Sequence, residues 1–215
     1  MKIAFIGCGN VGAPLADHLA ARGHEVVLAT SSESGELSDT VKKALARNSK
    51  LRAAPPKTAV KEAEVVFLAT PYQANAAALA AVAAELADKT LIDCTNPVGP
   101  GITHGLKSER SGSEVIQSQV PAAKVVKAFT IYGFENLENP EFPHYGVKPV
   151  MMFCGNDAAA KQATARLIED TGFEPLDVGG LEQALHLEHM TLLWVRHVRV
   201  GKNSPHLVWA ALRRS

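Results

Sequence analysis

Six residues near the start of the chain, Gly7-Cys8-Gly9-Asn10-Val11-Gly12, have the spacing of a loop that cradles a pyrophosphate. They follow the apolar run Lys2–Ile6. They precede a segment in which Val11, Leu15 and Leu19 recur at helical spacing. In that setting each glycine has a physical task. Gly7 permits a tight turn, Gly9 lets the backbone approach the phosphates, and Gly12 lets the helix lie close to the strand. Asn10 and Val11 lead into the helix, whose start offers free N–H groups and a partial positive charge to an anion. The competing reading is a strand-to-helix turn that merely uses glycine.

The residues after the second strand discriminate between nucleotides. A carboxylate about 20 residues beyond the loop bonds a free ribose 2′-hydroxyl. Here Ala29-Thr30-Ser31-Ser32 stand at that place. No acid is there to repel a 2′-phosphate, and Thr30, Ser31 and Ser32 offer three hydroxyls to it, so NADP(H) is the expected cofactor. The turn has no arginine, which leaves Lys42 or Lys43 to supply positive charge. Glu33 is a nearby acid of opposing effect. Ligands of open α/β sheets bind outside the carboxyl ends of the strands. That rule places Thr70-Pro71-Tyr72 at the cofactor's edge. It puts Cys94-Thr95-Asn96-Pro97-Val98 and Thr130-Ile131-Tyr132 near the nicotinamide. Each also reads as a simple loop turn.

No acid–base or metal constellation emerges. His186 and His189 are three apart on a helical stretch but lack a third ligand, and read as a packed or solvated pair. His18 and His24 flank the first helix and read as structural. His104, His144, His197 and His206 are scattered, with no carboxylate placed by sequence to orient them. Asp93 ends a strand and suits capping of the next turn. Tyr132 reads equally as packing or as a residue that hydrogen-bonds a substrate carbonyl or caps a flavin face. Cys8, Cys94 and Cys154 show no metal spacing and read as free thiols of a reducing compartment.

The elements that must position these residues alternate. Strands are expected at Lys2–Ile6, Glu25–Ala29, Leu51–Ala54, Val65–Ala69, Thr90–Asp93, Lys124–Phe129, Pro149–Cys154 and Phe173–Asp177. Helices are expected at Val11–Arg22, Leu37–Arg47, Gln73–Asp88, Asp157–Asp170 and Leu181–Val200. Ser111-Gly112-Ser113-Glu114 has the form of a capping box. Near-continuous apolar strands joined by helices imply a parallel sheet covered on both faces. The expected fold is therefore a doubly wound α/β Rossmann fold. It divides into a dinucleotide-binding domain over 1–177 and a helical segment, 178–215, packed on it.

Composition excludes other classes. Lysine plus arginine equal aspartate plus glutamate at 22 each, so no bulk charge draws the chain to nucleic acid or an anionic membrane. No run of about 20 apolar residues suggests a membrane span. Lys2–Ile6 begins at once without a signal-peptide pattern, so a cytoplasmic protein is expected.

Beyond these readings, GCGNVG, LATPYQ, SERSGSE, KVVKAFT and FCGNDAAAKQ resemble the NADPH:coenzyme F420 oxidoreductase family. They resemble equally the cytosolic reductase domain of the six-transmembrane (STEAP) metalloreductases. The likeness runs from Lys2 to about Trp194. It implies NADP(H) across Gly7, Gly9, Asn10, Val11 and Gly12, with the 2′-phosphate at Thr30, Ser31 and Ser32. It implies hydride transfer to a small-molecule acceptor, the deazaflavin F420 or a flavin (FMN or FAD), beside Asn96, Pro97, Ala128, Phe129 and Thr130. It also implies a homodimer. The family's usual arginine after the second strand is replaced by Ser31. Such chemistry needs aligned rings rather than a strong base, which suits the absence of catalytic residues. Two other readings stand beside it: a nucleotide-binding regulator or partner without turnover, and a small-carbonyl or imine reductase of the 6-phosphogluconate or pyrroline-5-carboxylate type. The latter needs a larger helical second domain than the residues after Asp177 provide.

Overall fold

The computed structural model describes residues 1–214. The first half of the chain builds β1 (Lys2–Ile6), α1 (Gly12–Ala21), β2 (Glu25–Ala29), α2 (Asp39–Arg47), β3 (Arg52–Ala54), α3 (Pro56–Glu62), β4 (Val65–Leu68), α4 (Asn75–Ala80) and β5 (Thr90–Asp93). A small hairpin, β6 (Val98–Gly99) and β7 (Thr103–His104), follows, then α5 (Gly112–Gln119), β8 (Lys124–Lys127) and α6 (Glu135–Glu138). The chain continues through β9 (Val150–Gly155), α7 (Ala158–Asp170), β10 (Glu174–Asp177) and α8 (Ala184–Val195).

The main sheet has the order β10-β9-β8-β5-β4-β1-β2-β3. β1 pairs in parallel with both β2 and β4, so the strand order reverses beside it. A crevice opens at such a switch point, outside the carboxyl ends of the strands. The parallel Rossmann core runs from β3 to β8. The expected parallel, doubly wound sheet carries one antiparallel pairing toward its edge: β9 lies antiparallel to β8, and β10 pairs in parallel with β9. A parallel neighbour needs a crossover, usually a helix, to return the chain to the opposite edge. Between β8 and β9 only the four-residue α6 is helical, so the chain re-enters from the carboxyl side.

Local chemistry explains the elements. In α1, Gly12, Leu15, Ala16, Leu19 and Ala20 are buried on one face, and Gly23 at φ +90° follows the helix. Ser111 and Glu114 form the expected capping box: the Ser111 hydroxyl accepts from Glu114 N, and the Glu114 carboxylate accepts from Ser111 N. Asp157 caps α7 by accepting from Ala160 N at 2.8 Å. The alanine-rich stretch is shorter than its composition predicts. After Ala80 the chain winds on through mixed bonds, Val82 N to Leu79 O and Leu86 N to Val82 O, and stops at Asp88 in the left-handed region (φ +62°). Val82 and Leu86 still reach the core.

The segment after β10 is helical only in part. A 3-10 turn, Leu181–Gln183, leads into α8, which relaxes into a π-helical turn at Arg196–Val200. Residues 201–214 then run back over the molecule without regular structure. Trp194 Nε1 donates to Leu207 O at 2.8 Å, and Val150 N donates to Trp209 O at 2.8 Å, which tie this stretch to α8 and β9. Among the described residues no helix is long and apolar enough to cross a membrane.

Candidate functional site

The three loop glycines differ in what surrounds them. A Cβ on Gly7, which sits at φ +96°, would stand 2.6 Å from the Ala69 carbonyl, and one on Gly12 would stand 2.2 Å from Gly7 O. These two are packing glycines that let β1, α1 and β4 close together. A Cβ on Gly9 would meet nothing within 4 Å. Val11 precedes α1 and gives it no side-chain cap; Ala13 N donates to Gly9 O at 3.0 Å and Pro14 has no N–H, so Gly12 N is the first-turn donor left for an acceptor.

A cleft of about 540 Å³ runs from this loop across the sheet edge. It gathers Gly7, Gly9, Thr30, Ser31, Thr70 and Pro71, all expected cofactor contacts, together with Thr40 and Pro56. Asn10 lines an adjoining depression of about 450 Å³ with Gly9, Lys43 and Arg47. Of the two lysines considered from sequence, Lys43 therefore borders the loop, whereas Lys42 faces Asp39 at 3.7 Å. Arg47 is held by Asp17.

The turn after β2 is internally bonded. Thr30 is buried and its hydroxyl donates to Ser32 O at 2.8 Å. The Ser31 hydroxyl donates to Glu36 O at 2.9 Å, and Ser32 and Ser34 share a bond of 2.7 Å. Ser31 and Ser32 are exposed. Glu33 does not face them: its carboxylate accepts from Lys57 N at 3.0 Å, in the first turn of α3, where the helix dipole favours an anion. The acid that opposes a 2′-phosphate in the sequence is thus engaged elsewhere.

The ends of β4, β5 and β8 meet beyond this turn. Thr70 Oγ1 donates to Asn75 Oδ1 (2.7 Å), Asn75 Nδ2 to Thr95 Oγ1 (2.8 Å), and Thr95 Oγ1 to Asp93 Oδ1 (2.7 Å). Asn96 Oδ1 and Thr130 Oγ1 are buried without a protein partner. Buried polar atoms are normally bonded, so two orphans at adjacent strand ends fit contact with a ligand. Ala128 and Phe129 are buried in the core, and Phe129, at φ +60°, tilts its ring on Phe67 at 5.7 Å. Any ligand contact from these two comes from their backbone. Tyr132 is a packing residue: its hydroxyl donates to Val150 O at 2.7 Å, its ring lies on Phe173, and burial raises its pKa well above the usual value.

Sequence reasoning missed a buried charge cluster beneath this edge. Lys127 and Asp93 are wholly buried and face each other in register across β8 and β5. Lys127 Nζ lies 3.1 Å from Asp93 Oδ2 and 3.2 Å from Glu188 Oε1, and donates to Thr95 O. Asp93 also accepts from Thr95 N (2.8 Å) and Ser113 Oγ (2.6 Å). Glu188 accepts from Gly112 N (2.9 Å) and pairs with His104 Nε2 (2.8 Å). Leu106 N and Ser108 N both donate to His104 Nδ1, so the ring proton sits on Nε2 and the imidazole is neutral. His189, paired with His186 in the sequence reading, instead stacks on His104 at 5.3 Å. Burial pulls the Lys127 pKa down, but Asp93 and Glu188 outweigh it and the net direction is up. The available signal was a lysine and an aspartate ending two apolar strands, KVVK and TLID.

The three cysteines are free and buried. Burial pushes Cys8 up to about 11 and Cys154 up to about 12, so neither is a thiolate near neutrality.

Two outcomes follow from this geometry. Gly9→Val is expected to abolish nucleotide binding in calorimetry while leaving the thermal unfolding midpoint near wild type, since its side chain enters open space. Lys127→Met strands two buried carboxylates and is expected to cost about 3–5 kcal/mol in denaturant unfolding. Because the folded pKa of Lys127 is raised, its stabilisation is complete below the ordinary value of 10.5 and is lost as pH rises through the folded value. The variant should therefore flatten the alkaline limb of the stability curve.

The family model described as "NADP oxidoreductase coenzyme F420-dependent" matches residues 2–97. A protein of Arthrobacter sp. FB24, provisionally named an F420-dependent NADP-reductase, has a crystal structure that superposes with a TM-score of 0.84 at 31% identity, covering 94% of this chain and 95% of that one. The F420-dependent NADP reductase of Methanocaldococcus jannaschii is 28% identical over 91% of each chain. The metalloreductase STEAP3 of Rattus norvegicus is 29% identical over 89% of this chain, which spans only 36% of that protein's length. The glycine loop, the cleft at the switch point and this likeness over nearly full length agree, and the chain belongs to the coenzyme F420-dependent NADP oxidoreductase family.

Proposed function

We propose that this protein moves hydride between NADP(H) and a deazaflavin of the F420 class. The observation that carries the reading is the open space at Gly9, at the mouth of a cleft that joins the loop to Ser31 and to Thr70-Pro71. Gly7, Gly9, Asn10, Val11 and Gly12 form the pyrophosphate cradle. Ser31 and Ser32, exposed at the rim, rotate their hydroxyls to the 2′-phosphate, and Lys43 adds positive charge in place of the missing arginine. Tyr72, Asn96 and Pro97 border the nicotinamide. Asn96 Oδ1 is free to accept from its carboxamide. Thr130 Oγ1 and the backbone of Ala128 and Phe129 face the acceptor ring.

Bound NADPH supplies the hydride, and the acceptor takes it together with one proton from solvent. The chain's own residues align and enclose the two rings, and no side chain has to gain or lose a proton for hydride to pass. The buried Tyr132 hydroxyl and the unionised cysteines agree with that division of labour.

Anaerobic mixing with NADPH, with F420, FMN or FAD offered in turn, tests the reading through nicotinamide absorbance. Rapid oxidation with F420 is expected. Oxidation by a flavin alone would move the acceptor class, and binding without turnover by any acceptor would favour a nucleotide sensor. Ser31→Asp is expected to weaken NADPH at least tenfold and NADH little, by calorimetry. Equal losses would remove Ser31 from the 2′-phosphate site.

A further inference from the structure

The cluster under the nicotinamide end is not electrically neutral. Asp93 Oδ1 and Oδ2 accept from Thr95, Ser113 and Lys127, and Glu188 accepts from Gly112, His104 and Lys127. Both side chains are surrounded by donors and are therefore carboxylates. His104 is neutral, because two backbone N–H groups occupy its Nδ1. One ammonium thus faces two carboxylates, and all three side chains are at most 1% exposed. The excess negative charge lies close to Tyr72 and Pro97. A methyl group on Gly112 would touch Tyr72 Cε2 at 2.8 Å, Glu188 Oε1 at 3.2 Å and Pro97 Cδ at 3.2 Å. Room for about one carbon atom thus separates the Glu188 carboxylate from Tyr72 and Pro97, the residues proposed to border the nicotinamide. Its field reaches that wall: burial first, then Glu188 and Asp93, raise the Tyr72 pKa, with Lys127 and Arg110 opposing.

We propose that Asp93 and Glu188 are electrostatic positioning residues, whose unbalanced buried charge favours the cationic, oxidised nicotinamide over the neutral, reduced one. This inference rests on the nicotinamide lying at Tyr72 and Pro97. Loss of hydride turns the ring from neutral to positive, so a fixed negative charge behind the wall acts on the product of donation and on the transition state leading to it. Lys127 cancels part of that charge. It also pins Thr95 O, one residue before Asn96, so the same contacts fix the wall in place.

The test measures binding of NADP⁺, NADPH and 2′,5′-ADP by calorimetry to wild type, Glu188→Gln and Asp93→Asn. Neutralising either carboxylate is expected to raise the ratio of the NADP⁺ to the NADPH dissociation constant about tenfold, with 2′,5′-ADP unchanged. A merely structural role would weaken both nucleotides alike, and an unchanged ratio overturns the proposal. Should neither variant fold, wild type still decides: NADP⁺ is expected to bind at least as tightly as NADPH, and a tenfold preference for NADPH overturns the proposal. Failure of wild type to bind either nucleotide would instead remove the cofactor assignment beneath it.

Discussion

The ammonium of Lys127, held between Asp93 and Glu188 with no access to water, is the contact on which the rest of the site depends. It joins β5 to β8 across their register and reaches α8. Through Glu188 it fixes the start of α5 and the β6–β7 hairpin. A buried charge survives only where donors and acceptors are matched around it. The loops bearing Thr95, Asn96 and Pro97 are therefore set by the geometry that Lys127 requires, and the expected nicotinamide wall inherits that rigidity.

The glycine loop illustrates a different constraint. Gly7 and Gly12 are dictated by crowding, because any side chain would strike backbone within 2.6 Å. At Gly9 a Cβ would meet nothing within 4 Å, so packing does not require glycine there. One hexapeptide thus holds two glycines that packing requires and one that it does not.

Much of the fold was legible because its signals are local. The apolar run of β1, the Ser111–Glu114 capping box and the Asp157 cap rest on neighbours within a few residues. The glycine spacing and the acid-free turn after β2 are local signals of the same kind, and Gly7, Gly9, Thr30 and Ser31 line one cleft. The reversal of β9 was not legible, because strand direction depends on what the connecting segment fails to form. Nor was the charge cluster: His104 and Glu188 are separated by 84 residues, and Gly112 and Glu188 by 76. Read alone, His104 had no carboxylate to orient it, and Glu188 was one more acid on a helix. Tyr132 was ambiguous until its hydroxyl was seen to be bonded to Val150.

The placement of Glu188 on α8 bears on the order in which the molecule is completed during synthesis. Chains emerge amino terminus first, and early segments begin to fold before later ones exist. Once β8 has formed, Lys127 and Asp93 make a balanced pair across adjacent strands, and the Rossmann core is electrically complete without α8. Gly112 N and His104 Nε2 must wait, since their common acceptor is translated some 80 residues later. The parallel core of the sheet can thus take shape on the ribosome while the β6–β7 hairpin and the start of α5 stay unlatched. Docking of α8 is then the event that fastens those two segments to the folded sheet.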